Sequence, residues 1–570
     1  MKVILISTYE LGHQPFGLAS PAAWLRARGA TVTCLDLSRE ALREDCIREA
    51  DLVAFYVPMH TATRLATQLI DVVKTLNPGA RLCFYGLYAP VNEAYLRARG
   101  VSDIFGGEFE AALAQLVDEM APTGAASARA DAGDDVAEGA PGGNAQDNVA
   151  QGGGAQRDGD AASSRRKDGT ASVGEMNPVV ARDERLREER SRRISPVISL
   201  ERLDFIVPDR TGLVPLREYA HVMLPDGGHL VAGYTEASRG CKHLCRHCPI
   251  VPVYGGVFRI VPREIVLEDI RRQVAAGAEH ITFGDPDFFN GPAHALAIVR
   301  EMHREFPRHT YDVTIKVEHL LKHSEQLAVL RDTGCLFVTT AVESVDDAML
   351  ERLAKGHTRA DFLALVARFR ELGLVLQPTF VPFTPWTTLA GYRDLLAVIA
   401  EQELIENIAP IQLGIRLLIP AGSRLLELAE MRRYAGAFDP GSLFHPWKHD
   451  DARVDALAER VQQLAAMGDK LAWTRSETFA RIWQAAAHAE AQAAEGRADQ
   501  AAMGGSASVF TPLGQQPMFA ARPAIPHFTE PWYCCAEPTR EQFISIGGGA
   551  PPPARRERQA DTALQADAFL

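Results

Sequence analysis

The residues best suited to chemistry are three closely spaced cysteines, Cys241, Cys245 and Cys248. Three thiolates at this spacing suit an iron–sulfur cluster in which each cysteine binds one iron and a fourth iron is left for a substrate. A zinc site completed by His243 or His247 is the first alternative, although structural zinc sites usually collect their ligands from two separated pairs. Three unrelated buried cysteines are the remaining alternative. The spacing favours an iron–sulfur centre.

The composition is that of a large globular protein. Of the 570 residues, 46% are apolar and 23% are charged, and the net charge of −13 gives no general attraction to nucleic acid or to an anionic membrane. Nine cysteines are too few for a disulfide scaffold of this length. No run reaches the ~18 apolar residues of a spanning helix, and the apolar run at 3–6 is shorter than the ~7 residues of a signal sequence. We expect a cytoplasmic protein.

The first 121 residues alternate short apolar runs with amphipathic ones. This alternation is typical of a parallel sheet that helices cover on both faces. The predicted strands are residues 2–7, 31–36, 52–57, 81–85 and 101–105. We therefore predict an α/β, doubly wound, Rossmann-like (flavodoxin-like) domain at 1–121, with any ligand at the carboxyl ends of its strands. Gly86 and Gly107 lie at two of these ends.

Residues 196–430 repeat a pattern of strand followed by helix. The predicted strands are residues 230–237, 280–283, 311–317, 336–342, 375–380 and 411–418. Six such units indicate a partial (β/α)6 barrel, whose active site is expected at the carboxyl ends of the strands. The cysteine loop directly follows the first of these strands.

The other regions have different compositions. Residues 122–195 are rich in Ala, Gly, Asp and Ser, and we predict a disordered linker because they cannot bury enough apolar surface to offset their conformational entropy. Residues 431–500 are predicted to form a helical extension. Residues 501–570 are predicted to be a mostly disordered tail, which an aromatic island at 528–538 interrupts.

The CxxxCxxC spacing after the first barrel strand resembles the radical S-adenosylmethionine (SAM) superfamily. The resemblance implies that Cys241, Cys245 and Cys248 bind a 4Fe–4S cluster whose unique iron chelates SAM. It further implies that one-electron reduction cleaves the sulfonium and yields a 5′-deoxyadenosyl radical. The residue before the third cysteine is usually aromatic and packs near the adenine, and this position is His247.

The resemblance also suggests cofactor-binding residues at later strand ends. Gly284 and Asp285 occupy the place where the family contacts the methionine amino group, although the usual Gly-Gly-Glu is absent. Glu318, Glu343 and Ser344 resemble positions that approach the ribose or the amino acid portion of SAM. Carboxylates suit this role because they accept hydrogen bonds from hydroxyl and ammonium groups. The alternative for each glutamate is a solvated loop end.

Arg416 interrupts an apolar run, and an unpaired buried arginine is costly. Two interpretations are open. Arg416 either pairs with a carboxylate for structural reasons or clamps an anionic cofactor or substrate.

The order of a doubly wound domain before this barrel resembles the cobalamin-binding arrangement. The stretches FGLA at 16–19 and SDIFGGE at 102–108 carry the resemblance. The Asp-x-His-x-x-Gly signature of some cobalamin proteins is missing, because His13 lacks the preceding aspartate. Cobalamin is therefore an uncertain cofactor, and the alternative is a plain docking domain, since one fold hosts many functions. We expect His60 to be a surface histidine.

Cys534 and Cys535 form an adjacent pair inside the aromatic island. We predict a redox or metal-binding pair that folds back onto the barrel mouth, and the alternative is two incidental cysteines. The run CCAEP resembles the tail of a radical SAM group in which selenocysteine can take the second position, which implies that Cys535 is reactive. The other cysteines are predicted to be inert core residues: Cys34, Cys46, Cys83 and Cys335.

Two functions remain from this sequence. The first is a radical SAM enzyme that abstracts hydrogen from an unknown small-molecule or peptide substrate, with methyl or alkyl transfer as the outcome if cobalamin is bound. This enzyme would need an external electron donor of the flavodoxin or ferredoxin type. The second is a non-catalytic iron–sulfur or zinc redox sensor with a carboxyl-terminal dithiol switch.

Overall fold

In the computed structural model, the described residues are 1–121, 197–502, 519 and 523–530, with 493–502 described by their backbone alone. The predicted linker at 122–195 lies outside the described residues, as does most of the predicted tail at 501–570. The described residues before 120 and after 196 belong to one compact unit.

A parallel sheet covered by helices forms the amino-terminal part. Its strands in the order β2-β1-β3-β4-β5-β6 are all parallel. Their bounds are β1 Lys2–Ser7, β2 Thr31–Asp36, β3 Leu52–Tyr56, β4 Arg81–Tyr85, β5 Asp103–Gly107 and β6 Ile198–Ser199. The interior strands β1 and β3 are apolar runs buried on both sides, as expected of a sheet that helices cover on both faces. The predicted doubly wound fold is confirmed, and β6 is an addition that the sequence did not predict.

Seven helices within the described residues 1–121 accompany this sheet. They are Phe16–Ala27, Glu44–Arg48, His60–Gln68, Ile70–Leu76, Tyr88–Val91, Glu93–Ala98 and Glu110–Met120. Their apolar side chains and those of the strands make a core of their own, in which Ile6, Phe55 and Phe84 are fully buried.

The second sheet has the order β14-β13-β12-β11-β8-β7-β15. Five of its strands are parallel neighbours, whereas β7 and β15 extend it in antiparallel fashion. The bounds are β7 His221–Met223, β8 His229–Thr235, β11 His280–Phe283, β12 Thr310–Thr314, β13 Cys335–Glu343, β14 Leu376–Phe380 and β15 His527–Phe528. A separate hairpin pairs β9 Ser238–Gly240 with β10 Phe258–Ile260.

The predicted sixth parallel strand at 411–418 is wrong. A 3₁₀ helix occupies Pro410–Gly414, and a single bridge joins Arg416 to Phe383 beyond the end of β14. The parallel part of the described sheet is therefore a half-barrel of five strands. A proline at the start of the segment favours the turn, because it lacks the N–H that a ladder requires.

Helices return the chain between the parallel strands. They are Val251–Tyr254, Arg263–Ala275, Pro292–Glu305, Val317–Lys322, Leu327–Asp332, Asp347–Leu353, Arg359–Leu372 and Leu389–Glu401. Local sequence sets their ends: Thr358 and Asp361 form a capping box at the start of Arg359–Leu372, and Gly373 ends that helix at φ 66°.

The predicted helical extension is confirmed for the described residues. Its helices are Met431–Tyr434, Ala452–Lys470 and Arg475–Ala502. Val461 and Ile482 of the two longer helices are fully buried against the core of the half-barrel. Among the described helices, none combines the length and the hydropathy that crossing a bilayer requires.

Candidate active site

A cavity of about 380 Å³ opens at the carboxyl ends of the half-barrel strands. Cys241, Cys245 and Cys248 all line it. The loops that follow β1, β3 and β4 of the amino-terminal sheet line the same cavity. The structure therefore brings the predicted cluster ligands to the strand ends of both sheets.

Backbone contacts hold the cysteine loop in place. The backbone N–H of Lys242 donates to Oδ1 of Asn290 at 3.1 Å, and Nδ2 of Asn290 donates to the carbonyl of Gly240 at 3.2 Å. At the other end of the loop, the N–H of Arg246 donates to the carbonyl of Leu353 at 2.9 Å. Asn290 is fully buried, so the loop is pre-organised by a side chain that solvent does not compete for.

The electrostatics of the loop suit thiolate ligands. Burial raises the pKa of the Cys241 thiol to about 11, so a bound metal would have to supply the driving force for deprotonation. The ammonium group of Lys355 is buried, and although burial lowers its pKa, the charge of Glu343 and then those of Cys245 and Cys248 raise the pKa above its ordinary value. Three cysteine ligands beside a buried ammonium group therefore suit an anionic iron–sulfur cluster better than they suit three unrelated cysteines of an apolar core.

The histidines of the loop already face other side chains. Nε2 of His243 lies 3.2 Å from Oδ2 of Asp287, and Nζ of Lys316 lies 3.1 Å from Nδ1 of the same ring. Ligand atoms of Cys241, His243 and Asp287 come within 4.8 Å of one another, which is the geometry closest to a zinc site among the described residues. Because Lys316 stands against the ring, a dication there would meet an ammonium group, and this disfavours the zinc alternative.

Glu343 lies at the end of β13 in a strained conformation. Its φ is 69°, and the pairing between β13 and β14 shifts register at this point. Oε1 lies 3.1 Å from Nε2 of His247 and 3.3 Å from Nζ of Lys355. Burial would raise the pKa of Glu343, but Lys355 and His247 outweigh it and lower the pKa to about 2. An ionised carboxylate in a left-handed conformation is the kind of strain that functional sites retain.

Gly284 and Asp285 both line the cavity, and the carboxylate of Asp285 is hydrogen-bonded within the protein. The Asp285 carboxylate accepts hydrogen bonds from the N–H of Ala237 at 2.9 Å and from Oγ of Ser238 at 2.6 Å. Burial raises the pKa of Asp285 to about 7. Asp285 therefore positions the chain that leads into the cysteine loop, and the sequence did not predict this role.

Two further predicted cofactor residues, Glu318 and Ser344, are not part of the cavity lining, whereas His247 is. Glu318 pairs with Lys316 at 3.1 Å, and its side chain is 44% exposed. Ser344 accepts a hydrogen bond from the N–H of Asp346 at 3.0 Å and so shapes the loop after β13. Lys316 itself lines the cavity, so Glu318 contacts a cavity-lining residue without lining the cavity itself.

Arg416 has a structural environment. Nη1 donates to Oδ1 of Asp455 at 2.7 Å, and the guanidinium lies over the ring of Trp447 at 4.2 Å. Of the two interpretations, the structure favours the structural pair, and Arg416 is not part of the cavity lining among the described residues.

The glycines at the carboxyl edge of the amino-terminal sheet contact protein atoms. A Cβ on Gly86 would lie 3.0 Å from the ring of Tyr56, and a Cβ on Gly107 would lie 2.1 Å from the carbonyl oxygen of Ser199. His60 was expected at the surface, and this is wrong: it is fully buried, with Nε2 2.7 Å from the carbonyl oxygen of Ser442. The loop that carries Ser442 could not be matched to this edge from its sequence.

Residues 523–530 form a strap across the two sheets. β15 within the strap pairs with β7, and Nε2 of Gln377 donates to the carbonyl of Pro526 at 2.7 Å. The ring of Phe528 packs 5.1 Å from that of His13 and 5.8 Å from that of Phe337. Cys534 and Cys535, the predicted reactive pair, lie outside the described residues.

A polar network that the sequence did not predict lies inside the half-barrel. Oδ1 of Asp312 lies 2.9 Å from Nε2 of His280 and accepts a hydrogen bond from Oγ1 of Thr282 at 2.7 Å. Among the described residues, no donor reaches Oδ2 of Asp312, and this side chain lines the cavity. The signal was present in the alternation of polar and apolar residues on β11 and β12, which places these side chains on one face.

The comparison with protein families identifies the barrel. Residues 235–385 match the family model described as the Radical SAM superfamily. These residues form a radical SAM domain. The matched segment contains the three cavity-lining cysteines and Glu343, and this superfamily implies a 4Fe–4S cluster and SAM as cofactors.

Curated relatives match this chain over part of their length. The hopanoid C-3 methylase of Methylococcus capsulatus is 25% identical over 26% of this chain and 29% of the methylase. The ribosomal protein uS12 methylthiotransferase RimO of Parabacteroides distasonis is 22% identical over 30% of this chain and 41% of the transferase. The chain thus matches well under half of the length of either relative.

The fold of most of this chain is similar to that of a solved radical SAM enzyme. The structure described as the cobalamin-dependent S-adenosylmethionine radical enzyme OxsB with aqua-cobalamin and S-adenosylmethionine bound superposes with a TM-score of 0.55. The match covers 82% of this chain and 67% of that chain at 12% identity. At this identity the likeness shows a shared fold, in which a doubly wound sheet precedes a radical SAM half-barrel.

Proposed function

We propose that this protein is a radical SAM enzyme that cleaves SAM reductively and activates a C–H bond of a small-molecule or peptide substrate. The observation that carries the proposal is the position of Cys241, Cys245 and Cys248. All three line one cavity, which Glu343, with its ionised carboxylate, also lines. A half-barrel with this site matches the chemistry of the superfamily to which its domain belongs.

The bound cluster would supply the electron that cleaves the sulfonium of SAM and so generates the 5′-deoxyadenosyl radical. The chain's own residues prepare the site for it. The three cysteines hold the iron, and Lys355 offsets their negative charge. Glu343 is ionised at neutral pH and accepts hydrogen bonds from the ammonium or hydroxyl groups of SAM. His247 orients this carboxylate through the 3.1 Å contact.

The substrate would lie deeper in the cavity, between the polar interior of the half-barrel and the amino-terminal loops. Asp312 presents Oδ2 to this space, while His280 and Thr282 hold Oδ1. A carboxylate fixed in this way selects a substrate that carries an N–H or O–H donor. The apolar part of the lining, which includes Met59 and Phe528, keeps water away from the reacting carbon.

Reductive cleavage of SAM needs an electron from outside the chain. An external donor of the flavodoxin or ferredoxin type would supply the electron. Because the chemistry requires a reducing compartment, we place the protein in the cytoplasm.

We further propose Cys534 and Cys535 as a reactive pair, with Cys535 the reactive thiol. The strap supports this proposal because its last described residue, Glu530, lines the cavity only a few positions before Cys534.

Methyl or alkyl transfer through cobalamin is the finer version of this function, and the residues of the amino-terminal sheet edge do not fit it. Ring carbons of Tyr56 occupy the space beside Gly17 and Gly86, where a ligand of this sheet would lie. The proposed activity therefore does not include methyl or alkyl transfer through cobalamin. The substrate C–H bond is activated by the nucleoside radical alone.

Anaerobic reaction of the full chain with SAM tests the proposal. After reconstitution with iron and sulfide, dithionite and SAM should give 5′-deoxyadenosine and methionine, detected by liquid chromatography and mass spectrometry. S-adenosylhomocysteine is the matched control, because it lacks the sulfonium and should give none. An intact cluster that binds no SAM and gives no 5′-deoxyadenosine would overturn the proposal and favour a redox sensor.

A further inference from the structure

The carboxyl edge of the amino-terminal sheet is the place where a doubly wound domain binds its ligand. Several glycines stand at this edge, among them Gly17, Gly86 and Gly106. Glycines at such an edge commonly leave room for a ligand to approach the backbone. In this protein, side chains of the chain itself occupy that space.

Side chains of the protein itself fill the space at these glycines. A Cβ on Gly17 would lie 2.1 Å from the ring of Tyr56, and one on Gly106 would lie 2.1 Å from Cγ of Pro90. Folded proteins do not contain contacts this short, so a methyl group has no room at either position. The packing of Tyr56 and Pro90 therefore requires a glycine at each of these two positions.

The filling is a continuous layer of aromatic rings. The ring of Tyr85 lies 5.4 Å from that of Tyr56 and 5.0 Å from that of Phe109. Oη of Tyr85 donates to the carbonyl of Gly17 at 2.8 Å, so this hydroxyl has its partner inside the layer. Tyr85 is fully buried, and Tyr56 and Phe109 are also buried. Such packing leaves no groove for the nucleotide tail of a cobalamin.

The loops at this edge are instead part of the cavity that contains the cysteines. Leu11, Met59 and Tyr88 line it from the amino-terminal side. A cavity of about 380 Å³ is in the range that holds a small organic molecule.

Buried contacts fix the amino-terminal domain in this position. The guanidinium of Arg239, two residues before the cysteine loop, lies 3.3 Å from Glu108 and 2.7 Å from Glu110. Oη of Tyr254 donates to Glu108 at 3.2 Å. Arg239, Glu108, Glu110 and Tyr254 are all buried, so these contacts dock the domain on the barrel, and its loops form one wall of the cavity.

We infer that the amino-terminal domain is a wall of the radical chamber and does not carry cobalamin. The packing of Tyr56 and Pro90 on the glycines of this edge does not depend on the reaction. The role of the domain as a wall of the cavity rests on the proposed function. The substrate that this chamber takes is a small molecule or a peptide side chain that fits between the apolar loops and Asp312.

Cofactor analysis of the full-length holoenzyme is the first test. The protein is expressed with hydroxocobalamin in the medium, purified anaerobically, and analysed for iron, sulfide and extracted corrin. We expect a cluster without cobalamin. Cobalamin in a one-to-one ratio with the chain would overturn the inference. SAM cleavage is measured on the same preparation, so that its loss would count against the proposed function and not against the filled edge.

A double-mutant cycle tests the filling itself. Gly17→Ala should lower the melting temperature of the cobalamin-free chain by several degrees, because the added methyl meets the Tyr56 ring. The same change in a Tyr56→Ala background should cost far less. Equal losses in the two backgrounds would show an open groove and overturn the inference.

A matched glycine controls for the effect of a methyl group as such. A Cβ on Gly79 would meet its nearest atom at 3.5 Å, so Gly79→Ala should leave the melting temperature unchanged. If Gly17→Ala alone does not fold, the comparison is between Tyr56→Ala and the double variant. Folding of the double variant supports the inference, and its failure beside a folded Tyr56→Ala contradicts it.

Discussion

Two parallel sheets present their carboxyl ends to one cavity, and they equip these ends in opposite ways. The half-barrel edge carries the cysteines and a paired, ionised glutamate, Glu343. The amino-terminal edge carries buried aromatic rings, among them Tyr56 and Tyr85. Both edges have the geometry that binds ligands in α/β proteins. Geometry of the backbone therefore offers a site, and only the side chains decide whether the site is used.

Carboxyl groups at the two edges show the same contrast. Burial raises the pKa of Asp36, at the end of β2, to about 6, since hydrogen bonds from Ser38 only partly offset it. Burial also acts on Glu343, but Lys355 and His247 reverse the effect and lower the pKa to about 2. Glu343 therefore keeps its charge down to low pH, whereas Asp36 becomes protonated at a higher pH than an ordinary aspartate.

The largest expected effect is loss of the cluster at the half-barrel edge. Cys248→Ala should abolish cluster assembly and SAM cleavage, because three thiolates are needed to hold the iron. Cys83→Ala is the matched control, since Cys83 is a buried cysteine of β4 in the other sheet. Iron and sulfide analysis with the visible absorbance spectrum measures both. Unchanged iron content in Cys248→Ala would contradict the assignment.

A smaller but still large effect is expected at Glu343. Glu343→Gln leaves the buried Lys355 without its counter-ion, and breaking a buried pair typically costs about 3–5 kcal/mol. The full chain should therefore melt at a lower temperature at pH 7, whereas the exposed Glu325→Gln should change little.

The pH dependence of that loss has a definite sign. The folded pKa of Glu343 lies below its ordinary value of 4.5, so the stability it contributes is present above pH 4.5 and is lost as the pH falls toward 2. The gap between wild type and Glu343→Gln should close over this range. A gap that stays constant would show that the carboxylate is not held ionised by Lys355.

The smallest expected effect has the opposite sign and lies at the amino-terminal edge. The folded pKa of Asp36 lies above its ordinary value of 3.8, so wild type loses stability as the pH rises from about 4 to 6. Asp36→Asn retains the acceptor Oδ1 that Ser38 uses and should be the more stable protein above pH 6. The difference should grow by about 1.4 kcal/mol per pH unit and then level off.

Thermal unfolding at a series of pH values measures this difference. Wild type and Asp36→Asn should coincide below pH 4, where the carboxyl is protonated in both states of the wild-type chain. If the two proteins keep the same pH dependence throughout, Asp36 is not held neutral by burial, and the contrast between the two edges is smaller than the structure indicates.

Local pattern was sufficient for much of the fold. The five amino-terminal strands were predicted within two or three residues because each is a short apolar run bounded by polar residues. The strand at 411–418 was predicted on the same grounds and is wrong. An apolar run is also compatible with a turn that packs against a later helix, as Arg416 does on Asp455. A strand needs a neighbour to pair with, and the sequence of the run does not show whether one exists.

The site was predictable where neighbours in sequence are neighbours in space. The cysteines fall in one loop, and Glu343 follows directly from a strand end. Lys355 was not predicted, because it reaches Glu343 only after the chain turns through the helix Asp347–Leu353. Asn290, which fastens the cysteine loop, is likewise distant in sequence from the residues that it contacts.

The sequence by itself determined the order of the elements, the cysteine loop and the radical SAM character of the barrel. These depend on spacing and periodicity, which a chain carries before it folds. Tertiary structure alone decided which strand-end residues meet the cavity, which carboxyls are charged, and that the rings of Tyr56 and Tyr85 close the amino-terminal edge. Each of these properties is set by burial and by partners that are distant along the chain, and burial exists only once the sheets have packed.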